Sequence, residues 1–405
     1  MKSPGIRIGT TLLAFALAFT ACGPASKTDP KKLPELPTTQ AATLGASMEL
    51  LFREHVYLLG ISTENAVTGQ TKGFEAAVEA LEQNTLVLAD EFEKAYGDRG
   101  QKGFLTAWRP YIDLIGQYAS GKARKLALPL ADRTFAQAVG RIASFAGGLT
   151  PLINPRVMGV DMRDVMGAIR AAVDAQVAKD FKKADASLRT AAKLASEVGA
   201  VFARAFADDL PAIYPGDPSS PAAGFRRTLA AHLTDHVYLL AMTTENILTK
   251  QSGPRDGAKA ALDAVSADLG KQIGASYGPE AEKAFVPVWK RQIDLLISYA
   301  GTATDKTKHE KARQDLEQFA TDAGAFLEGL NKELDKSSME QIIGGHGDAM
   351  TQTIDAQVAG DFKKADLRLR AAILQIEALG LALANATVRR FPVRFQPTPT
   401  GLGTP

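Results

Sequence analysis

The sequence predicts an all-α protein: two homologous antiparallel helical bundles in tandem, of about six helices each, after a signal peptide and a flexible tether. Three observations carry this. Apolar residues recur at three- and four-residue spacing through the body. No stretch of useful length alternates with the period of two that a half-buried strand requires. The body is also written twice: EHVYLLGISTEN from Glu54 returns 181 residues later as DHVYLLAMTTEN from Asp235, and DAQVAKDFKKAD from Asp174 returns at the same offset as DAQVAGDFKKAD from Asp355.

In chain order, Lys2 and Arg7 precede the apolar run TLLAFALAFT, and small residues follow it. That order reads as a cleaved secretory signal over 1–21, too short to span a bilayer as a mature helix. The single cysteine, Cys22, falls at the cleavage point. Residues 22–40 are rich in Pro, Lys and Thr and read as a flexible tether. The first unit, 41–211, opens with Leu44, Met48, Leu51, His55 and Leu58 on one helical stripe that faces a core. Phe74, Ala77, Leu81, Leu88 and Phe92 mark a second helix, which the Tyr96-Gly97-Asp98 break ends. Phe104, Trp108, Ile112 and Ile115 mark a third, in which Pro110 predicts a late start or a kink. Phe135, Val139 and Ile142, then Val165, Ile169 and Val173, then Ala184, Leu188 and Ala191 complete the set. Asp180 stands where an N-cap belongs, as does Asp361 in the second copy. Residues 212–224 read as a Pro/Gly/Ser linker, 225–392 as the second unit with Pro287 repeating the proline problem, and 393–405 as a disordered tail.

Composition excludes several functions. The 47 Lys+Arg against 45 Asp+Glu offer no electrostatic case for nucleic acid as a partner. One cysteine rules out a disulfide framework and a multi-thiolate metal site. No nucleophile elbow, HExxH or phosphate-cradling glycine loop occurs, so no enzyme is expected, and an envelope hydrolase is kept only as a remote alternative. Histidine is the rare reactive residue that the repeat preserves. His55 and His236 are equivalent, and His232 lies one turn before His236, a spacing that can chelate Cu or Zn with His346 as third ligand. The bland reading is a buried, hydrogen-bonded histidine. Glu64 and Glu245, Asp113 and Asp294 are kept between copies near core faces, where they either orient a histidine or act as buried pairs and caps.

The residues Phe19-Thr20-Ala21-Cys22 resemble a bacterial lipobox, which implies lipidation of Cys22 and a membrane anchor of acyl chains such as palmitate. The body resembles a family of secreted or lipid-anchored bacterial proteins built of tandem all-helical units with sparse core histidines, largely uncharacterised in function. The matching elements are the E/D-H at His55 and His236, Tyr96-Gly97 and Tyr277-Gly278, the tryptophans Trp108 and Trp289, and the A-x-D-F element at Asp180 and Asp361. Fuller units of that family carry further histidines where this chain has Tyr111 and Gln292, Val165 and His346, Leu194 and Gln375. The resemblance therefore implies that the second unit keeps the larger remnant of any such site.

Two expectations follow. The chain is an extracytoplasmic lipoprotein, held to the cell membrane or outer membrane, that acts as a non-catalytic binding or scaffold module for an envelope protein. Alternatively it is a periplasmic or cell-surface Cu/Zn-binding protein using His232, His236 and His346.

Overall fold

The computed structural model describes residues 36–123 and 131–396. The expected signal segment, Cys22, most of the expected tether and residues 397–405 of the expected tail lie outside the described residues. Among those described, the chain forms eleven α-helices and no strand.

The helix α1 (Gln40–Thr68) begins at Thr39, whose hydroxyl accepts from Ala42 N, and stops at Gly69 in the left-handed conformation. The next, α2 (Thr71–Ala123), is two helices merged across a break, where Tyr96 leaves helical geometry and Gly97 takes φ 62°. Gly278 supplies the same left-handed φ (96°) between α7 (Ser252–Tyr277) and α8 (Pro279–Gly301). Each repeat therefore has six helical segments in the same order. The first adds α3 (Ala131–Leu149), α4 (Pro155–Val177) and α5 (Phe181–Asp209). The second runs α6 (Pro221–Leu248), α7, α8, α9 (Lys306–Leu330), α10 (Lys336–Val358) and α11 (Phe362–Arg390). Asp180 and Asp361 cap the last helix of each repeat, accepting from Lys183 N at 3.2 Å and Lys364 N at 3.1 Å.

Three expectations are corrected. Pro110 and Pro287 neither start nor break a helix: both lie inside α2 and α8, and the nearby breaks belong to Gly97 and Gly278. The linker ends sooner than 224, because Ser220 caps α6 and Pro221 occupies its first turn. Past Pro392 the chain keeps a short 3₁₀ turn, Pro392–Phe395, and Phe395 packs edge-on against Phe225 with ring centres 5.3 Å apart.

The central helices are α1 and α6. Within its own repeat α1 packs on α2, α4 and α5, and α6 packs on α7, α8, α10 and α11. They also pack on each other, α5 lies against α7, and α11 lies against α2, so residues of both repeats form one continuous core. Phe52 to Gly60 are all buried, which replaces the expected single buried stripe with burial around the whole circumference. Among the described residues one helix, α11, is long and apolar enough to cross a membrane, but over half of its apolar window is buried inside the protein.

Candidate functional site

Three places bring chemistry-bearing residues together. The first is the seam between the repeats. Tyr57 and Tyr238 occupy the same repeat position and stack face to face, ring centres 5.2 Å apart and planes 2° from parallel. On one side of them Tyr238 Oη donates to Glu54 at 2.8 Å, and Arg53 binds Asp235 at 2.6 Å with both side chains buried. On the other side the TEN segments exchange side chains: Asn246 Nδ2 donates to Glu64 at 3.0 Å and Asn65 Nδ2 to Glu245 at 3.5 Å. The tyrosine stack and the two asparagine–glutamate contacts answer their equivalents in the other repeat, as in a self-complementary twofold interface, whereas Arg53 has Thr234 at its repeat position and forms a one-sided pair. Burial pushes the Glu64 and Glu245 carboxyls up to about 7, against the pull of the asparagine amides.

The second place is the surroundings of the repeated histidine, inside the one continuous core. In the first repeat His55 is buried, its Nδ1 is 3.2 Å from Asn84 Oδ1, and its ring lies 5.2 Å from Trp108 and 5.8 Å from Tyr111. In the second, His236 lies 4.7 Å from Trp289 and 5.8 Å from His346, ring centre to ring centre. His346 Nδ1 is 3.1 Å from Ala372 O. That leaves both nitrogens of His236, and His346 Nε2, buried without a partner. Desolvation lowers all three imidazoles, His55 to about 3 and His346 to about 4, and His346 adds to the lowering of His236. The first repeat is also the more aromatic one. Phe52, Phe92, Phe202 and Phe206 form an aromatic cluster in the first repeat, and Leu233, Ile273, Leu383 and Thr387 stand at those positions in the second. A void of about 20 Å³ remains there among Phe285, Trp289, Gln292 and Leu383.

The structure thus brings His236 and His346 together but puts His232 elsewhere. Half-buried, His232 faces the seam charges Asp235, Asp268, Arg53 and Arg189. Asp113 and Asp294 are corrected outright: both are exposed, because they fall on the outer face of helices whose inner faces carry Trp108 with Tyr111 and Trp289 with Gln292. Among the described residues, no three His, Cys, Asp or Glu side chains stand close enough to hold a metal ion.

The third place is a cleft of about 450 Å³ where both repeats and the linker meet. Gly45 and Glu49 of α1, Val201 and Arg204 of α5, Pro218 and Ser219 of the linker, and Arg227 of α6 line it. Glu49 is salt-bridged to Arg227, and burial nevertheless raises its carboxyl to about 7. Glycine and alanine floors with one half-buried acid–base pair give a concave surface of the kind that holds a side chain or short segment. The sequence did not mark this cleft, since its walls come from five separate segments, Leu152 between α3 and α4 among them.

No protein-family model, no curated protein and no solved structure matches the chain.

Proposed function

We propose that this chain is a lipid-anchored, extracytoplasmic, non-catalytic binding module, in which two homologous helical bundles pack face to face. The cleft at their junction receives a segment of an envelope protein. What supports the reading is that both repeats and the linker contribute to the cleft, so the receiving surface exists only while the halves are joined. Acylation at Cys22 holds it to a membrane. The test separates anchor from cleft. Cys22→Ser is expected to move the protein from the membrane to the soluble fraction and abolish palmitate labelling. Val201→Glu, on the exposed cleft wall, is expected to leave the protein on the membrane and abolish its crosslinks to an envelope partner. A protein that stays membrane-bound without Cys22, or a crosslink pattern indifferent to Val201→Glu, overturns the reading.

A second reading has its own support: the 5.8 Å ring separation of His236 and His346 with three unpartnered nitrogens. Two imidazoles bound to one Cu or Zn ion, at roughly 2 Å per bond, have ring centres up to about 6 Å apart. Metal content near one per chain, lost in His236→Ala, carries this reading; metal-free protein after loading with either ion removes it.

A further inference from the structure

The repeats also preserve TEN and DAQVA…DFKKAD, and neither the cleft nor the histidine pair explains them. They contribute Glu64, Gln176 and Asp185 to the first repeat, and Glu245, Gln357 and Asp366 to the second. In the first, α1 and α5 run antiparallel, with Gly199 against Met48 and Leu188 against Gly60. Asp185, a turn before Leu188, therefore falls beside Glu64, a turn after Gly60. Gln176 Nε2 donates to Gly60 O at 3.1 Å, which fixes the amide on that same turn of α1 and leaves its Oε1 without a partner. Glu64 Oε2 and both oxygens of Asp185 are unpartnered as well, and the three residues are 4%, 1% and 0% exposed in chain order. All four orphaned atoms are acceptors. Buried acceptors without donors are costly.

The second repeat repeats the arrangement in a more open form. Glu245, Gln357 and Asp366 line one cavity of about 50 Å³, and Gln357 Oε1 again has no partner. One difference separates the copies. Arg370 lies 3.6 Å from Asp366, while its equivalent Arg189 turns instead to Asp268 at 3.0 Å and Asp235 at 3.8 Å. The first triad thus lacks the local cation that the second has.

We propose that Glu64, Gln176 and Asp185 form an oxygen-donor site for a hard divalent cation of the calcium class, with Glu245, Gln357 and Asp366 as its weaker twin. Two carboxylates and an amide oxygen, completed by water, match the ligand chemistry such ions take, and the low ligand charge places affinity near that of extracellular calcium modules, about 10⁻⁴–10⁻³ M. The cation bridges α1, α4 and α5 at the seam, where Asn246 of the other repeat also holds Glu64.

The experiment is calcium chloride titration of the chelator-treated full chain at about pH 8, read by calorimetry and by thermal unfolding. A saturable heat is expected, with a rise in Tm of several degrees at about 10 mM calcium that matched KCl does not reproduce. Asp185→Asn and Glu64→Gln each remove a buried charge, so both should fold with an apo Tm at or above that of the parent. They are expected to weaken calcium binding at least tenfold. Asp366→Asn should remove only the weaker phase, and His236→Ala should leave the calcium response intact. The proposal falls if calcium gives neither heat nor Tm shift, or if the Asp185→Asn, Asp366→Asn double variant responds as the parent does. It falls equally if calcium raises Tm as much at pH 5 as at pH 8, because Glu64 is protonated at the lower pH and cannot serve as a charged ligand there.

Discussion

At the scale of single residues, the repeat supplies its own controls. Gly69 closes α1 at φ 79°, and its equivalent Lys250 takes φ 59°; Lys179 takes φ 61° where Gly360 takes 71°. A side chain in the left-handed region is strained by about 1 kcal/mol, partly offset by the greater freedom glycine has when unfolded. Lys179→Gly and Lys250→Gly are each expected to raise stability by about 0.5–1 kcal/mol in urea unfolding. The seam carboxylates set the pH response. Glu64 and Glu245 titrate near 7 folded against 4.5 unfolded, so the stability of their neutral forms is complete below 4.5 and lost as pH rises through 7. His55 and His346, held near 3 and 4 against 6.5, act the other way and withdraw stability as pH falls below 6.5. Glu64→Gln in cation-free buffer is therefore expected to stabilise by about 2 kcal/mol at pH 8 and to change little at pH 5. Equal effects at both pH values would contradict it.

Between elements, the decisive contact is the close approach of α1 and α5. A Cβ at Gly199 would stand 2.7 Å from Met48 O, which is backbone and cannot rotate away. At the equivalent Gly380 the obstacle is Leu233 Cδ1 at 2.9 Å, the end of a flexible side chain. Gly199→Ala is expected to cost about 2–3 kcal/mol and Gly380→Ala less than about 1, measured by the same denaturant series. The periodicity of the sequence disclosed these helices, and the caps at Asp180 and Asp361, because both depend on residues within a turn or two of each other. It misassigned Pro110 and Pro287, since packing on both sides of α2 and α8 outweighs one lost backbone hydrogen bond. It also left Asp113 and Asp294 facing the wrong way, a matter of rotating a helix by about 100° per residue.

For the whole molecule, the buried seam predicts a single unfolding transition rather than one per repeat. Arg53 and Asp235 are its most exacting pair, because removing Asp235 strands the desolvated guanidinium and removing Arg53 leaves Asp235 only the longer contact to Arg189 at 3.8 Å. Arg53→Ala is expected to cost about 3–5 kcal/mol, and calorimetry of this variant should show the single peak separating into two. Arg53→Met with Asp235→Leu should recover most of the loss, since neither charge is then left alone. A parent protein that already melts in two steps would show that the seam does not couple the repeats.

The sequence by itself determined the helices, their breaks, the duplication and the pairing of His55 with His236, because each is written in short-range spacing or in direct repetition. Only the tertiary structure decided that α1 and α6 are buried on every side and that His346 joins His236 while His232 does not. It alone placed Glu64, Gln176 and Asp185 together. Those outcomes depend on which faces of distant helices meet, and a linear pattern of apolar residues records that a face is buried without recording against what.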